Sequence, residues 1–214
     1  MKPVCTLIDQ LSPVMPWDEL DAVVFDVGNV LLRFEPAELA AKVFPDDPAA
    51  QQTVLRLATG TPYWPMLDRG LISLDDAAVR MAGRETSAIP VLDRFMHGWV
   101  ELPPIREGFD ALRIVKAHGK RTYILSNYNA EAYDIVRSLY EPLRQVDGEL
   151  ISSTVGITKP DLAIFRLAEE RFSLTPERTL FIDDSYINVE AALAKGWHAF
   201  WNNESGKLLR YLSA

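Results

Sequence analysis

Residues 22–32 read Ala-Val-Val-Phe-Asp-Val-Gly-Asn-Val-Leu-Leu. The apolar run 22–25 has the length and the β-branched content of a buried strand. Asp26 follows where that strand would end, and ligands of open parallel α/β sheets bind outside the carboxyl ends of the strands. Gly28 permits a tight turn that brings the main chain close to a ligand. The stretch predicts an acid at the mouth of a crevice, although a turn or helix-capping role for Asp26 fits these residues equally well.

Short apolar runs alternate with helical patterns from residue 102 onward. This alternation predicts an α/β fold whose core is a Rossmann-like parallel sheet with right-handed crossovers. Beyond the first strand, we expect strands at 122–125, 149–153, 179–182 and 198–201. We expect helices at 108–118, 130–140, 162–172 and 189–195.

Residues 37–100 show helical patterns and no convincing strand. The expected helices are 37–44, 51–58, 63–68, 73–81 and 89–100, and Ser73 with Asp76 three residues later has the pattern of a capped helix start. An inserted all-helical cap at 36–102 is the economical explanation. The α/β core would then comprise 21–35 and 103–214, with an N-terminal extension at 1–20 that packs on the core or trails from it.

Composition places the 214-residue chain among ordinary globular proteins, with 48% hydrophobic and 24% charged residues. The net charge of −8 disfavours nucleic acid as a partner, because a nucleic-acid binder needs a basic surface. The single cysteine, Cys5, allows no internal disulfide. We find no pattern of a signal peptide and no apolar run long enough to span a membrane. These features predict a cytoplasmic protein without a membrane partner.

Polar residues follow three of the predicted strands, and a loop lysine precedes a helix. They form one set: Asp26, Ser126, Asn127, Lys159, Asp183 and Asp184. In a parallel sheet such residues gather at one edge near a topological switch point. Clustered carboxylates suit Mg²⁺, and a carboxylate can also attack phosphorus. A hydroxyl, a backbone N–H and an ammonium group can hold phosphoryl oxygens.

Four stretches of the chain resemble, in order, the four motifs of the haloacid dehalogenase-like hydrolase superfamily. They are Phe25-Asp26-Val27-Gly28-Asn29-Val30-Leu31, Ile124-Leu125-Ser126-Asn127, Lys159-Pro160 and Phe181-Ile182-Asp183-Asp184-Ser185. The helical block falls between the first and second motifs, where this superfamily carries a helical cap. The first stretch, together with Arg69-Gly70 and His97-Gly98-Trp99, is most similar to bacterial phosphatases of the alpha-D-glucose-1-phosphate type.

The resemblance implies a Mg²⁺-dependent phosphatase that hydrolyses a small phosphate ester, a sugar phosphate, through an aspartyl-phosphate. It implies the following roles for residues of this chain: Asp26 as nucleophile and metal ligand, Gly28 (through its carbonyl), Asp183 and Asp184 as further metal ligands, and Ser126, Asn127 and Lys159 as phosphoryl-binding groups. It also implies that Asn188 orients Asp184. The protein is expected to be a monomer or a homodimer.

Gly28 departs from the pattern of the family. Most of its phosphatases carry a second aspartate at this position, which protonates the leaving group and later activates water. Loss of such a group typically lowers the rate by about 10²–10⁴-fold. A substrate with a good leaving group would tolerate the loss, or water or a cap residue such as His97 or Glu35 would replace the acid. Otherwise turnover would be weak.

Each of these residues also has a purely structural interpretation. The Ser126-Asn127 pair would cap the helix at 130–140, Lys159 would be a solvated loop residue, and the Asp183-Asp184 pair would be a helix N-terminal charge pair. The aromatic residues Tyr63, Trp64 and Trp99 would line a sugar site or form the core of the cap. The three histidines lack the spacing of zinc ligands.

Two further functions compete with the phosphatase. A 2-haloacid dehalogenase would use Asp26 as a nucleophile on carbon without a metal, but such enzymes resemble this chain while carrying non-acidic residues at positions 183 and 184. A catalytically weak ligand-binding or regulatory protein would explain Gly28. Fold alone does not separate these functions.

Overall fold

A computed structural model of the protein describes residues 7–8 and 16–213. Its strands are β1 (Leu7–Ile8), β2 (Ala22–Phe25), β3 (Arg121–Ser126), β4 (Gly148–Ile151), β5 (Thr179–Asp183) and β6 (His198–Trp201). They form one sheet in the order β1-β6-β5-β2-β3-β4, and every neighbouring pair is parallel. The predicted α/β fold with a Rossmann-like parallel sheet is therefore confirmed.

From β2, the chain adds β3 and β4 on one side of the sheet, and β5 and β6 on the other side. β2 pairs with β3 on one side and with β5 on the other, with Phe25 opposite Ile124 and Ile182. The carboxyl ends of these three strands therefore lie side by side, and the backbone N–H of Asp26 donates to Ile182 O at 2.9 Å. This is the topological switch point at which ligands of such sheets bind.

Helices cover both faces of the sheet. The core helices are α6 (Arg106–Ala117), α7 (Ala130–Leu139), α8 (Glu141–Arg144), α9 (Leu162–Phe172), α10 (Tyr186–Ala194) and α11 (Lys207–Ser213). Val23 and Phe25 belong to an apolar cluster with residues of α6 and α7, whereas Ala22 and Val24 pack with residues of α9 and α10. All four residues of β2 are buried, because alternate side chains enter opposite layers.

Five helices occupy the chain between β2 and α6: α1 (Pro36–Val43), α2 (Pro48–Ala58), α3 (Tyr63–Asp68), α4 (Leu74–Ala82) and α5 (Ile89–Gly98). Ser73 caps α4 by accepting a hydrogen bond from the N–H of Asp76 at 3.0 Å, as its pattern predicts. Residues 36–102 are all described and contain no strand. The boundaries of the cap at 36 and 102 stay a prediction.

The structure adds elements that the sequence patterns did not indicate. β1 pairs with β6, so part of the extension at 1–20 lies at the edge of the sheet, while Cys5 lies outside the described residues. α8 and α11 are short, and their stability comes from packing: Leu143 of α8 and Leu208 of α11 are fully buried. α10 begins at Tyr186, three residues before the predicted start. Among the described helices, none is long and apolar enough to cross a membrane.

Candidate active site

Three carboxylates meet at the switch point of the sheet. Asp26 follows β2, Asp183 is the last residue of β5, and Asp184 comes next. Each offers a carboxylate oxygen, and these oxygens all lie within 4.8 Å of one another. Asp183 is fully buried and Asp26 nearly so. The strand ends therefore bring together the three acids that the sequence pointed to.

The ammonium group of Lys159 lies between two of these acids. Its Nζ is 3.0 Å from Asp26 Oδ1 and 2.6 Å from Asp183 Oδ2, and the side chain is completely buried. Asn127 holds the backbone of Lys159. Its side-chain amide donates to Lys159 O at 2.9 Å and accepts from Lys159 N at 2.8 Å. Lys159 is thus not a solvated loop residue.

Negative charge exceeds positive charge in this buried site. Burial raises the pKa of Asp26 to about 7, with further increases from Asp183 and Asp184, against the lowering effects of Lys159 and the Ser126 hydroxyl. Burial and Asp183 raise the pKa of Asp184. Burial by itself would lower the pKa of Lys159, but the carboxylates of Asp183 and Asp26 outweigh it and raise that pKa.

Asn188 holds Asp183 and not Asp184, so that part of the expectation is wrong. Its amide lies 3.1 Å from both carboxylate oxygens of Asp183, and the N–H of Ser185 donates to Asp183 Oδ1 at 2.8 Å. The first turn of α10 carries Asn188 back over the end of β5, which places it above Asp183. The side chain that holds Asp184 is Asn29, which donates to Asp184 Oδ2 at 3.2 Å.

Asn29, and not Gly28, makes the sharp turn after β2. Asn29 has a φ of 52°, a left-handed conformation that asparagine tolerates. Its side chain also accepts a hydrogen bond from the N–H of Phe34 at 3.0 Å. Gly28 does not adopt a left-handed conformation, and a Cβ placed on it would meet no atom within 4 Å. The missing side chain at this position therefore leaves open space.

A cavity of about 190 Å³ opens over the carboxylates. Its lining residues are Asp26, Gly28, Asn29, Phe34, Trp64, Asp68, Trp99, Asn127, Tyr128 and Asp184. Ser126, Lys159 and Asp183 lie behind this surface, buried beneath it. The cavity thus has an acidic floor at the strand ends and walls that the cap helps to build.

Four aromatic residues form one side of the cavity, which we call the aromatic wall: Phe34, Trp64, Trp99 and Tyr128. Phe34, Trp64 and Trp99 contact one another edge to face, with ring centroids 5.4–5.7 Å apart. Trp99 Nε1 and the Tyr128 hydroxyl are buried and have no hydrogen-bond partner among residues 16–213. Buried polar atoms of this kind normally bind water or a ligand. Tyr63, the third aromatic candidate from the sequence, does not line the cavity.

Asp68 lines the cavity although nothing in the sequence singled it out. It is the last residue of α3 and so belongs to the helical block. Burial raises its pKa to about 6, although the positive charge of Lys159 acts in the opposite direction. A carboxylate before a glycine-containing turn is common in sequences. The position of Asp68 near Lys159 depends on how the cap packs on the core. No local sequence pattern would have revealed it.

The other residues proposed to replace the missing acid lie elsewhere. His97 is about half exposed, with Nδ1 3.0 Å from Asp93 O and Nε2 3.2 Å from Asp75 Oδ1, and it does not line the cavity. Glu35 lines a neighbouring cavity with Arg33. The hypothesis that either residue supplies the acid is therefore not supported by the geometry.

The helix-capping alternative for Ser126 and Asn127 is wrong. Asn129 caps α7 by accepting from the N–H of Ala132 at 3.1 Å. Asn127 is engaged with the backbone of Lys159, and Ser126 is buried beside Asp26.

The sequence profile described as haloacid dehalogenase-like hydrolase matches residues 20–196. The chain belongs to the haloacid dehalogenase-like hydrolase family. The match covers the sheet from β2 to β5 and the helical block between them, and thus every residue of the site described above. The protein is a hydrolase of this family.

Its relatives within the family include phosphatases and dehalogenases. The chain is 27% identical to the sesquiterpene phosphatase astK of Aspergillus oryzae over 82% of this chain and 86% of that protein. It is 31% identical to an (S)-2-haloacid dehalogenase of a Pseudomonas species, over 51% of this chain but only 47% of the dehalogenase. Among solved structures, the chain is similar to a family enzyme of Bacteroides thetaiotaomicron in complex with magnesium and inorganic phosphate. The TM-score is 0.69 at 19% identity, over 89% of this chain and 100% of that chain. This similarity shows a shared fold.

The donor set of this haloacid dehalogenase-like hydrolase fits a hard divalent cation. Three carboxylates lie together with a single ammonium group, and the charges of Asp183 and Asp184 add to the increase in the pKa of Asp26 that burial causes. Mg²⁺ prefers carboxylate oxygens and would supply the missing positive charge. Both oxygens of Asp183 already accept hydrogen bonds from the protein, whereas Asp26 and Asp184 line the cavity.

Proposed function

We propose that the protein is a Mg²⁺-dependent phosphatase that hydrolyses a small phosphate monoester through an aspartyl-phosphate on Asp26. The observation that carries the proposal is the acidic pair at the end of β5, Asp183 and Asp184. Asp183 and Asp184 place two further carboxylates within 4.8 Å of Asp26, and a reaction that used Asp26 alone would not need them. They concentrate negative charge where a cation must bind before an anionic phosphate can approach.

The metal would be held by Asp26, the carbonyl of Gly28, Asp183 and Asp184. Bound there, Mg²⁺ would neutralise the charge between the carboxylates and the incoming phosphoryl group. Asp26 lies on the floor of the cavity and is oriented by its own neighbour, since Asp26 Oδ1 accepts from the N–H of Val27 at 2.7 Å. This hydrogen bond and the contact of the same oxygen with Lys159 restrict the carboxylate, which would help to orient it for attack on phosphorus.

Three groups would hold the transferring phosphoryl oxygens: the hydroxyl of Ser126, the N–H of Asn127 and the ammonium of Lys159. Asn127 fixes the backbone of Lys159, and the contacts with Asp26 and Asp183 hold its ammonium directly beneath the floor of the cavity. Such preorganised donors supply most of the stabilisation in phosphoryl transfer.

The cavity favours a substrate whose leaving group is apolar. Apart from the acids and amides at the strand ends, the lining consists of the aromatic wall and Asp68, so a sugar would find few hydroxyl partners beyond Asp68, Trp99 Nε1 and the Tyr128 hydroxyl. The similarity to a sesquiterpene phosphatase over 86% of that protein supports the same class of leaving group. We therefore propose a prenyl-like or other hydrocarbon phosphate rather than the sugar phosphate that the motifs alone suggested.

The test is a panel of phosphate monoesters that includes glucose 1-phosphate and an isoprenyl phosphate, assayed for phosphate release with Mg²⁺ and with EDTA. We expect release in Mg²⁺, its loss in EDTA, a preference for the isoprenyl ester, and no turnover by Asp26→Asn. Release that persists in EDTA would contradict the metal-dependent mechanism. Preference for the sugar ester would contradict the apolar leaving group but not the phosphatase.

A 2-haloacid dehalogenase is the second candidate, favoured by the similarity to the Pseudomonas enzyme over half of this chain. It would release halide from 2-chloropropionate without metal, and the same Asp26→Asn variant would abolish the reaction. Inactivity in both assays would favour a ligand-binding or regulatory protein.

A further inference from the structure

Departure of an alkyl oxygen from phosphorus requires a proton. The titratable side chains that line the cavity, among the described residues, are Asp26, Asp68, Asp184 and Tyr128. In the proposed function Asp26 is the nucleophile and Asp184 binds the metal. Burial raises the pKa of Tyr128 far above its usual range, which makes it a poor proton donor at neutral pH. Asp68 is the group that remains.

Contacts at the end of α3 position Asp68 at the cavity. The carbonyl of Asp68 accepts a hydrogen bond from the hydroxyl of Ser152, which is buried beside the end of β4. The same hydroxyl accepts from the N–H of Tyr128 at 3.0 Å. Arg69 Nε then donates to Gly156 O at 3.3 Å. The end of α3 is thus tied to the loops that follow β3 and β4, and the carboxyl of Asp68 is held over the site.

The carboxyl of Asp68 is free to act on a ligand. Within residues 16–213, no side chain or backbone group makes a hydrogen bond or an ion pair with it. Its pKa of about 6 results from burial, with Lys159 as the charged group that acts against it. An acid with a pKa close to the working pH can both donate and accept a proton during turnover.

We infer that Asp68, supplied by the helical block, is the general acid that protonates the leaving-group oxygen and the general base that activates water. The inference rests on the proposed phosphatase function and names the missing catalytic residue of the same site. A carboxylate oxygen of Asp26 attacks phosphorus while the bond from phosphorus to the ester oxygen breaks. The proton of Asp68 passes to that ester oxygen, and the alcohol leaves.

The second half of the reaction uses the carboxylate that the first half produces. Asp68 accepts a proton from a water molecule as the water oxygen attacks phosphorus. The bond from phosphorus to the oxygen of Asp26 then breaks. Inorganic phosphate leaves, Asp26 is a carboxylate again and Asp68 is protonated again, so that protons and charges balance over one cycle.

Gly28 offers an independent way to test the inference. It lines the same cavity, has open space where a Cβ would stand, and does not adopt a left-handed conformation. An aspartate at this position would therefore fit and would present a carboxyl group to the same cavity. If the function of Asp68 is proton transfer, a second carboxyl at residue 28 can take it over.

The experiment compares wild type, Asp68→Asn, Gly28→Asp/Asp68→Asn and the control Asp46→Asn, an exposed cap residue. Single-turnover rates with excess enzyme are measured for an alkyl phosphate and for p-nitrophenyl phosphate, whose leaving group departs without a proton. We expect Asp68→Asn to slow cleavage of the alkyl ester by about 10²–10⁴-fold. Release of p-nitrophenolate should be nearly unchanged in this first turnover, whereas with excess substrate a fast first turnover should be followed by slow later ones. The double variant should recover part of the alkyl rate, and Asp46→Asn should match wild type.

Equal slowing of both esters in the first turnover would overturn the inference, because it would indicate a structural role. Unchanged cleavage of the alkyl ester by Asp68→Asn would also overturn it. Neither result would contradict the proposed phosphatase function. In this experiment, the absence of phosphate release by wild type from every ester would refute the proposed function, and the inference about Asp68 would then fail as well.

Discussion

Lys159 is the residue on which the charge balance of the site depends. It is completely buried and lies against two carboxylates, and each of these lacks another positive neighbour at comparable distance among the described residues. A buried ion pair contributes little compared with an apolar pair, but removing one partner leaves an uncompensated charge. The residue should therefore matter for folding as well as for binding of the phosphoryl group.

We predict that Lys159→Ala lowers the free energy of unfolding of the metal-free protein at pH 8 by about 3–5 kcal/mol. The loss should be smaller at pH 5, because Asp26, whose pKa is raised to about 7, takes up a proton there. Urea denaturation measures both values. The control is Lys42→Ala, since Lys42 pairs with Glu101 at 3.5 Å with both side chains about half exposed, and such pairs contribute up to about 1 kcal/mol. Equal losses in the two variants would contradict the prediction.

At the scale of the element, the end of α3 is a point at which the helical block contacts the core beside the site. Gly70 follows Asp68 by two residues, has a φ of +67°, and a Cβ on it would stand 2.5 Å from the carbonyl oxygen of Ser153. The helical block thus approaches the core as closely as two backbones can. A side chain at this point must push the end of α3 away, and Asp68 with it.

We predict that Gly70→Ala lowers kcat/KM for an alkyl phosphate by roughly 10²-fold, because small displacements of positioned groups have effects of that size. Gly60→Ala is the matched control. Gly60 has nearly the same φ, +69°, but no atom lies within 4 Å of its Cβ position. Both variants should lose about 1 kcal/mol from the strain of a left-handed alanine, and only Gly70→Ala should lose activity. Thermal unfolding and steady-state kinetics separate the two effects, and equal kinetics would show that the contact at Ser153 is unimportant.

The elements of the core could be predicted because each has a local cause. The β2 run is uniformly apolar, and the helix at 162–172 has the bounds that its pattern indicated. Asp26, Lys159 and the pair at 183–184 converge because parallel strands end at one edge. Asp68 could not be predicted, because its place depends on the contact of Gly70 with Ser153. The hydrogen-bond partners of Asn29 and Asn188 likewise could not be predicted, because they depend on how the turn after β2 and the first turn of α10 pack beside the end of β5.

At the scale of the whole molecule, two clusters of potential metal ligands differ in their burial. Asp26, Asp183 and Asp184 are buried or half-buried at the sheet edge, whereas the second group, Asp75, Asp93 and His97, is exposed on the cap. Solvent screens the exposed group, so it has little need for a cation. The buried group repels itself, and a cation bound there should stabilise the entire fold.

We predict that saturating Mg²⁺ raises the midpoint of thermal unfolding of wild type. A ligand at 100 times its Kd adds about 2.7 kcal/mol, which corresponds to roughly 5–10 °C for a chain of this size. Asp184→Asn should abolish most of this increase, because it removes a cavity-lining carboxylate while its amide can still contact Asn29. Asp93→Asn, in the exposed group, should retain the full increase. Calorimetry with and without EDTA measures the shift, and an increase lost in Asp93→Asn but kept in Asp184→Asn would place the cation on the cap and refute the metal site at the sheet edge.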